Sequence, residues 1–360
     1  MVLLLLVSFR TIMAAPGPVT PATGNLVEAS SRDRRIVKRW KLPGKPRGLA
    51  LHQGVAYVGL SDRQSVLAVE VGTGRILREA ILDSAHIAAT KDLVTVRVSP
   101  GGKRLIVANG SDESATLLSL PDLSVVREIG LEGETIRDAL VDPSGRYLLV
   151  LGNQIHLFDA AGGKELRTFD VGDPMAIAVN STGSAFAVAH SERFVNGTAT
   201  VVSLFDLSTF KQGDQEPLQT DRRIVSMMFA AGDRSLVVFA RDWIGEKPIR
   251  PRVEKLLSNE GDKMRMRIDF GDLTNSEGAC LPEVVGPQIA VLGPKPSVIL
   301  FAERRCSVSG SFTASERNVA TASIYGVAAY AVAFDPITNT LLTTDPAGFL
   351  TIYRAPKPGS

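Results

Sequence analysis

Val94-Thr-Val-Arg-Val98, Leu105-Ile-Val-Ala108, Ala115 to Leu120 and Val125 to Leu131 are four short runs of β-forming residues in close succession. A Pro100-Gly101-Gly102 turn separates the first two, and a polar stretch from Asn109 to Ser114 separates the next two. Runs of four to eight such residues bounded by turn formers are strand signals. Short connections in fixed order make them an antiparallel meander.

The same four-run unit recurs on both sides of this stretch. Upstream it reads Gly48 to Leu51, Val55 to Leu60, Ser65 to Val71 and Arg75 to Ile81. Downstream, a third unit has Ala139 to Val141, the turn Asp142-Pro-Ser-Gly145, Tyr147 to Leu151, Ile155 to Phe158 and Glu165 to Phe169. The fourth has Ala176 to Val179, the turn Asn180-Ser-Thr-Gly183, Ala185 to Val188, Thr200 to Phe205 and a degenerate last run. In the fifth, Val225 to Phe229 and Leu236 to Phe239 are clear, a swollen loop follows, and Lys263 to Ile268 is left as the outer strand. The sixth is the faintest, with Gln288 to Leu292, Val298 to Phe301 and Cys306 to Thr313. The last has Tyr330 to Phe334, Thr340 to Thr343 and Phe349 to Tyr353, then lacks a fourth run.

Ile36 to Leu42 alternates like a strand but precedes the first full unit. An orphan strand at one end and a missing strand at the other predict an all-β, seven-bladed β-propeller over residues 36–356, built of four-stranded antiparallel blades and closed by the N-terminal strand. Closure hides edges that would otherwise be sticky. Repeats spaced roughly 40 to 60 residues apart suit such a ring. Small residues at inner positions of the first strands (Ala50, Ala139, Ala176, Ala178, Ala290, Ala331 and Ala333) fit its crowded centre. A β-sandwich would not repeat one unit with a strand outstanding at each end, and a solenoid would repeat at a shorter period.

Val96-Arg-Val-Ser-Pro-Gly-Gly-Lys-Arg-Leu-Ile-Val-Ala-Asn109 and Ala176-Ile-Ala-Val-Asn-Ser-Thr-Gly-Ser-Ala-Phe-Ala-Val-Ala189 resemble the YVTN family of propeller repeats, and Ser65 to Arg78 resembles that repeat's second half. The likeness covers most of 48–206 and returns at 330–353; the fifth and sixth units depart from it, and the Trp-Asp and Gly-His signatures of WD40 blades are absent. The resemblance implies an exported propeller of bacterial or archaeal type. Its family is functionally mixed, spanning surface and adhesion modules, companions of periplasmic redox enzymes and lactonase-like enzymes.

Val2 to Val7 is an uninterrupted aliphatic run, and Ala14-Ala15 offers small residues for cleavage, so residues 1–15 are read as a signal peptide and the chain as exported, to the periplasm or the extracellular space. Residues 16–35, rich in Pro, Thr, Ser and Gly, are expected to be a flexible leader. No other run approaches the ~18 apolar residues of a membrane span. A formal net charge of +2 argues against a nucleic-acid groove, which needs clustered Lys and Arg.

Cys280 and Cys306 are the only cysteines. They are either a disulfide within the sixth unit, favoured by export, or two separate buried thiols. His52, His86, His156 and His190 fall in different units without metal-ligand spacing, so no metal and no cofactor is expected. His156, inside an apolar run, reads as a hydrogen-bonded core imidazole. Gly72-Thr-Gly74 reads as a hairpin turn, and Ser208-Thr-Phe-Lys211 matches a Ser-x-x-Lys motif by spelling alone.

Two connections between second and third strands are enlarged, His190 to Gly197 and Arg241 to Arg252. Long connections in compact domains are often functional, and an Arg-flanked Trp has the composition of interface hot spots. Arg193, Arg241, Trp243 and Arg250 are therefore the candidate binding residues, for a protein, peptide or glycan partner of a monomeric, non-catalytic propeller. Two alternatives stay open: Trp243 and Ile244 folding back as a satellite core, and an enzyme, lactonase-like or the large subunit of a redox dehydrogenase.

Overall fold

The computed structural model describes residues 19–20, 24–31, 36–82, 94–99, 101–109, 113–194, 197–218, 223–229, 235–244, 247–257, 268–271, 288–292, 298–302, 310–314, 319–322, 331–335, 340–345 and 347–354. Among them there are strands and turns but no α-helix. Short strands β1 (Val19–Thr20), β2 (Gly24–Asn25) and β3 (Val27–Glu28) precede β4 (Ile36–Lys41). A first sheet follows with β5 (Pro46–His52), β6 (Val55–Leu60), β7 (Ser65–Glu70) and β8 (Arg75–Ile81), and a second with β9 (Val94–Val98), β10 (Arg104–Asn109), β11 (Ser114–Ser119) and β12 (Val125–Gly130). The third holds β13 (Asp138–Val141), β14 (Tyr147–Leu151), β15 (Ile155–Asp159) and β16 (Glu165–Phe169), and the fourth β17 (Pro174–Val179), β18 (Ala185–Phe194), β19 (Gly197–Asp206) and β20 (Gln212–Leu218). The fifth contains β21 (Arg223–Phe229), β22 (Ser235–Ile244), β23 (Lys247–Leu257) and β24 (Ile268–Gly271), and the sixth β25 (Gln288–Leu292), β26 (Val298–Ala302), β27 (Gly310–Ala314) and β28 (Val319–Ala322). Finally β29 (Ala331–Asp335), β30 (Thr340–Thr344) and β31 (Phe349–Arg354) continue into β4 and then β3.

Among the described residues every pairing is antiparallel, consecutive strands within each sheet form a meander, and β4 pairs with β31 from Phe349↔Lys41 to Tyr353↔Ile36. The first strand of each sheet touches the first strand of the next, and β29 touches β5. In the first and third sheets burial is high through the first three strands and drops at the outermost. β6 and β14 are buried on both faces over nearly their whole length, whereas the outer β16 is largely exposed. A strand covered on both sides reads as a continuous apolar run, which is how Tyr147-Leu-Leu-Val-Leu151 reads. Ala50, Ala139, Ala176, Ala178, Ala331 and Ala333 are buried in the first strands.

The cores lie between successive sheets. Phe186 and Phe205 stack between the third and fourth and Phe169 meets both edge-on, with ring centroids 4.9 to 5.1 Å apart. The inner hairpins are set by polar turn chemistry: the Asp142 carboxylate accepts from the N–H groups of Ser144 and Tyr147, and the Asn180 amide oxygen from the Ala185 N–H.

Four expectations differ from the structure or fall outside its reach. Part of the supposed flexible leader is built into the sheets: β1 and β2 pair with β8, β3 pairs with β4, and Leu26 is buried. Most of the enlarged connection His190 to Gly197 continues β18 and β19, and most of Arg241 to Arg252 continues β22 and β23. The described part of the fifth sheet's outer strand is Ile268–Gly271, with Lys263 to Arg267 outside the described residues, and the sixth gains β28, which its weak pattern concealed. Residues 1–15, Cys280 and Cys306 lie outside the described residues.

Candidate functional site

In a four-stranded meander the connection from second to third strand and the link to the next sheet leave from the same end. Backbone contacts tie the two sets together: the Lys45 N–H donates to Asp62 at 2.7 Å, and the Asn153 N–H donates to Glu134 at 2.7 Å. On the fourth and fifth sheets this end grows into two-stranded ribbons. Pairing of β18 with β19 continues through Ser191↔Thr200, Glu192↔Ala199, Arg193↔Thr198 and Phe194↔Gly197. Pairing of β22 with β23 continues through Asp242↔Ile249, Trp243↔Pro248 and Ile244↔Lys247.

The root of the first ribbon is fixed. The Ser191 N–H donates to the carbonyls of Gly172 and Asp173 at 3.1 and 3.3 Å. A Cβ at Gly172 would stand 2.3 Å from the Ser191 carbonyl oxygen, so only glycine admits this approach. His190 is buried just below, its Nε2 2.8 Å from the Ser203 hydroxyl. Burial pushes this imidazole below its usual range, more than the Ser191 carbonyl and Glu192 raise it. Beyond the root, Arg193 is exposed and Phe194 is 47% exposed.

The second ribbon carries a bulge. Ala240 pairs with Arg252 and Asp242 with Ile249, so Arg241 stands opposite two residues, Arg250 and Pro251. On the other side Arg241 pairs with Arg223 of β21. Arg223, Arg241 and Arg250 therefore occupy one level across three strands. The side chains of Arg223, Arg241, Trp243 and Arg250 lie outside the described residues, as does the expected satellite core of Trp243 and Ile244. Elsewhere at this end cations meet carboxylates across sheets. Arg97 holds Asp138 through two nitrogens at 2.9 and 2.6 Å, and Arg137 meets Asp173 at 3.2 Å. Burial pushes the Asp138 carboxyl up against the pull of Arg97.

His156 is buried as expected for a core imidazole. Its Nδ1 lies 2.9 Å from Glu165, and its Nε2 lies 3.2 Å from both oxygens of Glu134. The burial of Glu165 raises its carboxyl, but bonds from Thr168 and His156 outweigh that and leave it below the usual range. This cluster ties the link before β13 to the third sheet. Among the described residues no group of three His, Cys, Asp or Glu is arranged to hold a metal ion. A groove of about 590 Å³ lined by Arg75, Ile76, Leu77, Arg78, Pro121 and Asp122 lies at the outer rim of the first two sheets, away from the ribbons.

Phe194 escaped the sequence reading, although an aromatic residue in the polar run before Asn196-Gly197 was the available signal. Glu134 carried none, because its partner sits 22 residues away.

Many solved structures are similar to this chain in fold, two of them as follows. The β-propeller domain of Cps50 (Swd1) from Myceliophteria thermophila is 13% identical with a TM-score of 0.67, covering 88% of this chain and all of its own. The fold is that of a β-propeller. Hydrazine synthase of Kuenenia stuttgartiensis is similar at 14% identity and a TM-score of 0.67, over 87% of this chain and 96% of its own. At such identities the likeness concerns architecture alone. No family model and no curated protein matches the chain, so membership of the YVTN family is not shown.

Proposed function

We propose that the chain is an exported, non-catalytic, seven-bladed propeller of the YVTN type that binds a protein, peptide or glycan partner through the ribbon-bearing end of its sheets. The pairing of β31 with β4 and the contact of β29 with β5 support a closed ring. The observation that carries the binding reading is the pair of ribbons on consecutive propeller sheets, one presenting exposed Arg193 and Phe194. Arginine and aromatic residues dominate interface energetics, because they combine a large contact area with directional polar groups. Arg223, Arg241 and Arg250 at one level favour acidic groups on the partner, since guanidinium binds carboxylate and sulfate in a two-pronged fashion.

The test is a screen of glycan and peptide arrays with the full chain, repeated with Arg193→Ala, Arg241→Ala, Trp243→Ala and Arg250→Ala. Each variant is expected to bind the selected ligand about tenfold or more weakly, roughly 1.4 kcal/mol, while its thermal midpoint stays within about 2 °C of the parent. Unchanged binding overturns the assignment, and a collapsed midpoint for Trp243→Ala places that residue in a core. Haem or quinone bands in the visible spectrum of the protein from its native cell would replace the binding reading with a redox enzyme.

A further inference from the structure

Residues 24–29 lie across the outer strands of two sheets at once. Gly24 and Asn25 pair with Ile76 and Arg75 of β8, and the Leu26 N–H donates to the Gly74 carbonyl at 2.9 Å. Val27 and Glu28 then pair with Lys41 and Trp40 of β4, and the Ala29 N–H donates to the Arg39 carbonyl at 2.7 Å. The crossing from the first sheet to the last takes one residue, Leu26. It is 8% exposed and belongs to the core that includes Trp40, Leu42, Leu49, Leu60 and, partly buried, Ile76.

The turn joining β7 to β8 is gripped from the same side. The Val71 carbonyl accepts from Trp40 Nε1 at 3.2 Å, the Gly72 carbonyl from Lys38 Nζ, and the Gly74 carbonyl from Leu26. The Trp40 ring closes on Gly74 so tightly that a Cβ there would sit 2.6 Å from Cε3, and Gly74 has a φ of 70°. The turn thus needs glycine for its backbone and for the ring above it.

Two-residue strands have no stability of their own. What holds β2 and β3 is the buried Leu26 between them and the hydrogen bonds on either side. We propose that residues 24–29, seated on Trp40, are a clasp that locks the sheet ending in β4 to the sheet of β5 to β8. Strand pairing between β31 and β4 joins β4 to its own sheet but leaves the seam toward β8 to side-chain packing and the side-chain bonds from Lys38 and Trp40. The clasp adds backbone hydrogen bonds across that seam, so the two sheets open together or not at all.

The experiment is hydrogen exchange followed by mass spectrometry on the full chain, with Leu26→Asp, Leu26→Ala and a variant in which 24–29 become an equal length of Gly and Ser. Exchange in peptides covering β4, the 71–74 turn and β8 is expected to speed up at least tenfold in the Gly/Ser variant and in Leu26→Asp. Exchange in β14 and β15 should stay unchanged. Trp40 emission should shift to the red. Unaltered exchange at the seam in Leu26→Asp overturns the clasp, and so does acceleration spread evenly over all sheets. Should both of those variants fail to fold, Leu26→Ala decides on the same criterion: faster exchange confined to the seam upholds the clasp, and anything else removes it.

Discussion

His190 shows how one side chain couples the ribbon to the solvent. It is 4% exposed, faces the Ser203 hydroxyl, and sits one residue before the bond from Ser191 to Gly172 that roots the ribbon. Because burial lowers its proton affinity in the folded chain, the unfolded chain binds the proton more readily. The resulting stability is complete above the unfolded value of about 6.5 and is lost as pH falls through that value toward the lower folded one. Urea midpoints should therefore drop between pH 7 and pH 5, and His190→Gln should flatten that slope. An unchanged slope in the variant would assign the acid sensitivity elsewhere. Asp206 acts in a separate window. Bonds from Ser208 and Thr209 bring its carboxyl down to about 2, so its contribution is lost only between roughly pH 4 and pH 2.

The ribbons are prolongations of the second and third strands of the fourth and fifth sheets. Replacing Ser191 to Thr200 by the short Gly152-Asn153-Gln154 connection of the third sheet closes the hairpin at the His190↔Val201 pair. Of the described residues in that segment only Thr200 is buried, so the thermal midpoint should move by no more than about 3 °C, while ligand selected by the parent no longer binds. A large drop in scanning calorimetry would make the ribbon part of the core. The same physics explains what could be read in advance. Phe186 to Val188 is buried and announces itself, whereas Ser191 to Phe194, passing from partly buried to exposed, has no hydrophobic period to find. Gln212 to Leu218 was faint because an outermost strand needs little apolar surface, and Gly24 to Glu28 because pairings of two residues leave no pattern. Arg193 was visible through the unusual length of its connection. Glu134, His156 and Glu165 were not seen as a cluster, since only the fold brings the link before β13 over β15 and β16.

For the whole molecule the decisive contact is β4 on β31. It uses the head of the described chain to complete the sheet made by its tail, and Leu350, Ile352, Trp40 and Leu342 are buried in one core with Leu49 and Val58 of the first sheet. If the ring is closed as proposed, no sheet is terminal, and each is stabilised by two neighbours. Deleting residues 1–42 would then expose the edge of β31 and one side of the first sheet together, and unpaired edges promote association with other chains. The clasp variants should soften a single seam. The deletion should instead abolish the sharp melting transition and yield aggregates in size-exclusion chromatography. A truncated monomer that melts as sharply as the parent, and at the same temperature, would mean that the sheets do not depend on joining head to tail, and an open arc of sheets would have to replace the ring.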